Sequence, residues 1–473
     1  MPSSSTTTVT PSATAAAADG GVPAASTLWD VPPEEGESNA EDLIGAKGWE
    51  PSRQWRPVPW CWVPDWVAGV LGLLVLLPVA PFMAVLIGTG ELSMALCLWV
   101  HRHSRGLFPA LGRVVQRACA TLGAHVLRDP RNADYLPWMI FLLLWAPSLF
   151  LWAMYRTATQ GFDWTFFFVY HFLRIGPRFR FFARIHVLVH KEGHDHAGFF
   201  KPPFTFLNQL NQWVIGPFYG QVPNSYSIAH NKIHHQFHNA LDDVHTNLDL
   251  DRTKPWSFVV YLPRFVLYWT GISPLIHFLY HREWKFARHM FQGMLAYYGG
   301  MAALCYWNPV FGLAYCIFPN TEDFIFFGGI SYMWHCFLEP TDPFNQYVNS
   351  VTILKGKDNI WNEDFHVVHH HSPGTHWTDI PKHYQAHVEL YRKYQATIFE
   401  DCEQGEMLFW LLAKKWDLLA QHFVDLNGKM TVEQKRELII RRLSYTVGKA
   451  QDEEGAKAKA AAAAASLKAS KND

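Results

Sequence analysis

Three short runs of histidine hold the residues whose types and spacing can do chemistry. The first reads His186-V-L-V-His190-K-E-G-His194-D-His196. His190 and His194 are four apart, so on a helix both imidazoles leave one face and can bind one metal, and His186 extends the stripe. Zinc peptidases need Glu directly after the first histidine; here Lys191 follows and Glu192 comes one later, which argues against that chemistry. The second run is His230-N-K-I-His234-His235 with His238 after it. On an α-helix His230 and His234 lie in line and His235 about 100° round, so one helix can serve two adjacent metals. The third is Asn362-E-D-F-His366-V-V-His369-His370-His371, in which His366, His369 and His370 share a face and His371 points away. His335, at the end of the apolar segment S-Y-M-W-His335, is a candidate single ligand from another helix.

A lone histidine on an apolar helix is ordinarily a hydrogen-bonded core residue. Three clusters at ligand spacing favour a metal centre instead. His186, His196, His238, His245, His371 and His376 fall outside the repeated spacing and read as supporting or purely structural positions. The remaining eight, with His335, exceed what one ion accepts, since zinc takes four ligands in structural sites and three plus water in catalytic ones. Two ions are therefore expected. Imidazole suits zinc, copper, iron and nickel alike, so spacing does not select the metal. The seven cysteines are scattered singly with no C-x2-C pair, which argues against a zinc ribbon, an iron–sulfur site or a disulfide framework.

The elements that position these residues read as membrane helices. A mean hydropathy of -0.05 averages polar ends with a far more apolar centre, and 21 Trp and 34 Phe fit membrane interfaces and apolar cores. A net charge of -1 gives no basic excess for nucleic acid. Crossing ~30 Å of hydrocarbon takes about 20 helical residues. The stretch Trp66 to about Val100, with Pro78 and Pro81, reads as one kinked span or a re-entrant hairpin. Tyr135 to Tyr155 and Trp164 to about Phe182 read as a helical hairpin; Trp256 to about Tyr280, Met290 to about Phe318 and Phe324 to Phe337 follow. Between His101 and Asp134 stand Arg102, Arg105, Arg113, Arg117, Arg128 and Arg131 against two acids, which places that loop, and the first histidine run, on the cytoplasmic face. The fold class expected is all-α: a polytopic membrane domain over 60–400 with a cytosolic helical cap. A helical extension over 401–447 follows, in which Thr431 and Gln434 have capping-box spacing. The Ser/Thr/Ala/Pro-rich 1–45 and the Lys/Ala-rich 448–473 read as disordered tails, and the first fits neither a secretory signal nor a transit peptide.

At this point the residues resemble the membrane fatty-acid desaturase superfamily, whose H-x3-H, H-x2/3-HH and H-x2-HH boxes match His190/His194, His230/His234/His235 and His366/His369/His370. The short gap between the first two boxes and the long one before the third follow the desaturase layout. Asn362 and the segment Thr246-Asn247-x-Asp249-x-Asp251 match further. Two features depart: Lys191 stands where desaturases commonly have an acid, and the segment from His235 to Thr246 is longer than usual. The H-x3-HH form of box two and H-K-E-G-H are shared with alkane monooxygenases. The resemblance implies two iron ions held by the boxes, His335 as an extra ligand, Asn362 holding a water or ligand, and O2 as cosubstrate. It further implies a lipid or acyl-chain substrate and electrons from a separate cytochrome b5 or ferredoxin, since no H-P-G-G haem motif is seen. The expected activity is an O2-dependent acyl desaturase in the endoplasmic reticulum membrane with a cytosolic site, a plastid or bacterial inner membrane being the other settings. A hydroxylase, ketolase or decarbonylase on the same scaffold is the alternative, and a metal-binding membrane transporter a more distant one.

Overall fold

The computed structural model describes residues 63–240 and 242–447, so both expected tails lie outside the described residues. Asp65–His103 (α1) is one continuous helix of 39 residues with Pro78 and Pro81 inside it, which resolves the first apolar stretch as a single rod. Leu107–Val126 (α2) leads through a 3-10 turn at Pro130–Tyr135 into Leu136–Gln160 (α3). Asp163 caps Trp164–Ile175 (α4) by accepting from the Thr165 N–H at 2.8 Å. This fourth helix stops seven residues before the expected end at Phe182. Gly176 (φ 73) precedes Pro177, a position from which α geometry is disfavoured, and Arg178 (φ 48) and Phe179 (φ 59) complete the break. Arg180–His194 (α5) then carries box one.

Ser225–His234 (α6) carries box two and is wound as a π-helix, with His235 donating its N–H to the His230 carbonyl five residues back. Pro255–Trp269 (α7) and Ile272–Tyr280 (α8) form a pair bent by 70°. Trp284–Trp307 (α9) ends at Asn308, so the stretch expected to run on to Phe318 is broken there, and Phe318–Trp334 (α10) delivers His335. Among the described residues α1 and the Pro130–Gln160 segment are long and apolar enough to cross a membrane, with the bent α7–α8 pair a third if it is one span.

Beyond Asn345 the chain forms short helices around two three-residue strands, Thr352–Leu354 (β1) and Ile398–Glu400 (β2), paired in parallel with Thr352 opposite Ile398. His366–His371 (α11) carries box three. Gln404–Leu412 (α12) and Val432–Ser444 (α13) follow, and the expected capping box of Thr431 and Gln434 opens the latter. Met407 and Leu411 of α12 and Ile439 and Leu443 of α13 share one apolar core with Phe258 and Tyr261 of α7 and Tyr332 of α10. A second core joins α1, α3, α4 and α5 through residues such as Leu86, Leu142, Phe167 and Leu188. The box-bearing elements α5, α6, α10 and α11 are thus held between two large cores and a small one beneath α11 that includes Val368 and Ile398.

Candidate metal centre

Box one is carried on a helix whose buried face includes Ile185, His186, Val189, His190 and Gly193. Gly193 lies against the start of α6: a Cβ there would sit 2.8 Å from Cβ of Tyr226 and 3.1 Å from the Ser227 nitrogen. This close approach lets boxes one and two face each other. Asn231 seals it by donating its side-chain amide to the Gly193 carbonyl at 2.7 Å.

The nine imidazoles separate into two groups, of His190, His194, His230, His235 and His369, and of His234, His335, His366 and His370. In the first, His190 Nε2 lies 2.9 Å from His230 Nε2 and 3.1 Å from His194 Nε2. His235 Nε2 is 3.0 Å from His230 Nε2 and 2.9 Å from His369 Nε2. In the second, His366 Nε2 is 3.0 Å from both His335 Nε2 and His370 Nε2. A ring N–H donates one such bond, so five nitrogens converging in this way are not a hydrogen-bond network. Ligands at about 2.1 Å from a metal and at right angles to each other stand about 3.0 Å apart, and the spacing fits that arrangement. Burial, reinforced by the neighbouring imidazoles, pushes His194, His230, His235, His335, His366, His369 and His370 well below the ordinary imidazole range. They are neutral, the form that binds a metal.

Group membership departs from the α-helical expectation in two boxes. His230 pairs with His235 while His234 turns to the other group, because the π winding of α6 brings positions five apart into register. In box three His366 and His370, one α-turn apart, share a group and His369 turns away to the other. Box one keeps its expected pair.

Behind the nitrogens that converge stand groups that fix them. His190 Nδ1 donates to Glu363 at 3.0 Å, and the same carboxylate pairs with Lys191. His234 Nδ1 donates to Asp243 at 2.7 Å, whose other oxygen is 2.9 Å from His245 Nδ1. His335 Nδ1 donates to the Asn349 carbonyl at 3.0 Å. Each acceptor holds the proton on Nδ1 and leaves the Nε2 lone pair facing the group. Burial raises the Glu363 carboxyl, but Lys191 and His190 outweigh it and hold it well below the usual carboxylate range; His245 and His234 do the same for Asp243. His234, Asp243 and His245 also lie close enough to hold an ion. With His234 Nε2 committed to the four-histidine group, the trio is better described as a carboxylate orienting two imidazoles.

The other expected positions are placed as follows. His238 Nδ1 is 3.1 Å from His370 Nδ1 and so supports that ligand from behind. His186 is buried against Gln221 and, at 3.3 Å, Asp323. His371 packs on Tyr347, ring centroids 4.7 Å apart, outside both groups. His376 bonds to Asn132 at 2.8 Å, and His196 is exposed beyond the end of α5. The Asn362 amide donates to the Trp377 carbonyl at 2.7 Å and its oxygen accepts from Asn359 at 3.2 Å, tying the loop. Sequence reasoning missed Asp243 and Glu363. Glu363 stands within box three, where adjacency to a ligand was a usable signal; Asp243 sits in an irregular loop, where spacing carries none.

The segment after box two is pinned to α10. Asn247 donates to the Tyr332 carbonyl at 3.1 Å and Asn239 to that of His335 at 3.3 Å, which couples the loop bearing Asp243 to the helix bearing His335. A cavity of about 840 Å³ reaches both groups, touching His190, His230, His234, His335 and His366. Phe265, Trp269, Phe327, Ile330 and Trp334 form its apolar wall.

The sequence model of the family described as "Fatty acid desaturase" matches residues 162–401, just over half of the 473. All three histidine boxes and His335 fall inside the match. No curated protein matches the chain. No solved structure matches it either.

Proposed function

The chain belongs to the fatty acid desaturase family, and from that premise we propose that it is a membrane-bound, O2-dependent di-iron enzyme that introduces a double bond into a lipid acyl chain. The observation that carries this reading is the convergence of nine imidazoles in two groups, five of them lining one cavity with an apolar wall. The proposed ligands are His190, His194, His230, His235 and His369 for one iron and His234, His335, His366 and His370 for the other. When bound, the iron pair supplies the activation of O2 by which hydrogen is removed from an unactivated methylene.

The protein's own residues do the rest. Seven of the imidazoles, kept neutral by burial, accept metal without competing protons. Glu363, Asp243 and the Asn349 carbonyl orient three of them, one for the first iron and two for the second. The wall of Phe265, Trp269, Phe327 and Ile330 excludes water and holds an acyl chain by apolar contact, so that one methylene lies at the histidines. Electrons arrive from a separate cytochrome b5 or ferredoxin, and the enzyme sits in the endoplasmic reticulum membrane with its centre on the cytosolic side.

The H-x3-HH form of box two keeps hydroxylation as a second reading. Expression in yeast with mass spectrometry of the lipids separates the two. A product two hydrogens lighter supports desaturation, and one heavier by an oxygen with no new double bond supports hydroxylation in its place. Metal analysis of purified protein should give about two irons per chain.

A further inference from the structure

The cavity also bears on which carrier brings the acyl chain. The wall residues that reach the surface show where it opens: Ile87 (53% exposed) and Glu91 on α1, Lys357 in the cap, and Glu406 and Phe409 (65% exposed) on α12. α1 is one of the helices apolar enough to cross a membrane. The opening therefore has one apolar lip on a membrane helix and another in Phe409, which suits a ligand arriving from the bilayer.

Only part of the charge around the opening is matched within the protein. Arg178 bonds to Glu91 at 2.8 Å and to Asp358 at 3.2 Å, and Arg180 to Asp358 at 3.0 Å. Arg184 lies 4.0 Å over the Trp138 ring, and it and Lys357 have no carboxylate at ion-pair distance among the described residues. Glu403 accepts only backbone N–H groups, of Lys357 at 2.5 Å, Asp358 at 3.2 Å and, in the capping box of α12, Glu406, which in turn accepts the Glu403 N–H at 3.0 Å. Neither has a cation at ion-pair distance among the described residues, Arg178 acting on Glu403 only from farther off. Two cations without a carboxylate at ion-pair distance and two carboxylates bonded only to backbone N–H groups thus stand at one mouth.

A coenzyme A thioester carries several phosphates and needs a basic platform, with Arg and Lys in excess. Here the cavity lining carries four basic residues and six carboxylates, Glu91, Asp358, Glu363, Asp364, Glu403 and Glu406. The lining therefore offers a polyanion no basic excess. A head group with one phosphate and one amine fits it, the phosphate toward Arg184 and Lys357 and the amine toward Glu403 and Glu406. Building on the lipid-oxidising reading above, we propose that this cavity takes the acyl chain of a zwitterionic membrane phospholipid, entering sideways past α1.

The test is displacement of a fluorescent acyl probe from purified full-length protein in detergent. Dioleoyl phosphatidylcholine is compared with oleoyl coenzyme A, and iron content is measured on the same sample. Phosphatidylcholine should displace the probe at a concentration at least about tenfold lower, a difference of about 1.4 kcal/mol. The double substitution Glu403→Gln/Glu406→Gln keeps the side chains able to cap α12 and removes two carboxylates, and should narrow that gap. Ile87→Trp with Phe409→Trp narrows the lips and should slow probe entry from micelles. Displacement by oleoyl coenzyme A at an equal or lower concentration overturns the proposal. Lipid binding without iron or turnover overturns the enzymatic reading and leaves the carrier assignment standing.

Discussion

The two histidine groups differ in how they are built. The five-histidine group has two half-buried members, His194 and His235, and one outward bond to a fixed acceptor, from His190 to Glu363. The four-histidine group is buried throughout, and three of its members are held from behind: His234 by Asp243, His335 by the Asn349 carbonyl and His370 by His238. Fewer donors go with firmer orientation. A site with four imidazoles leaves one more coordination position open than a site with five, and each remaining ligand then matters more to where the metal sits.

The strongest test of that contrast is removal of one ligand from each group. His335→Ala leaves three imidazoles and should lower iron from about two to about one per chain, because three buried ligands are no longer held against a fourth. His194→Ala leaves four, one of them half-buried, and should retain more metal. Turnover is lost in both, as with Ala at His190, His234, His235, His369 or His370. Equal metal loss in the two variants breaks the comparison; retained turnover in two or more single variants breaks the assignment of ligands.

Next in size are the carboxylates behind the ligands. Asp243→Asn and Glu363→Gln should each cost about 10- to 100-fold in metal affinity or activity. The Asp243 variant acts on the four-histidine group and the Glu363 variant on the other, so metal titration should show a different one of two binding steps weakened in each. Glu363→Gln also leaves the half-buried Lys191 without its counter-charge, so Lys191→Met in that background should recover part of the lost folding stability in a denaturant titration.

These carboxylates also show what was legible in the sequence. The candidate ligands were readable because imidazole runs at three- and four-residue spacing have few other uses, and all nine candidates fall in the two groups. Their partition was not, because it depends on the π winding of α6, which a five-residue offset between His230 and His235 does not by itself announce. The two departures from the family pattern have structural answers. Lys191 meets Glu363, and the long segment after His235 supplies Asp243 and His245. Both answers involve residues far apart in sequence or in irregular loops, where periodicity is silent. Membrane helices were read from apolar length, which located α1 and α3 but ran α4 through the break at Gly176 and α9 through Asn308.

A smaller effect is expected where the five-histidine group depends on close helix packing. Gly193→Ala places a methyl 2.8 Å from Tyr226 Cβ, so α5 and α6 must part by several tenths of an ångström. Overpacking of this kind costs about 1–3 kcal/mol. The shift moves His190 and His194 relative to His230, whereas three of the four-histidine group, His335, His366 and His370, lie on other elements, so activity should fall further than the iron content of the second site.

The smallest effect concerns the boundary of the five-histidine group. His196 follows His194 by two residues, but α5 ends between them, and the side chain is exposed with no side-chain hydrogen bond or ion pair among the described residues. An exposed side chain away from caps and networks contributes within about 0.5 kcal/mol. His196→Ala should therefore leave iron content and turnover unchanged within measurement error. A loss of either would mean that the turn after α5 folds inward when metal is bound and adds a sixth imidazole to that group. The contrast between a saturated site and an open one would then be sharper than the two groups alone imply.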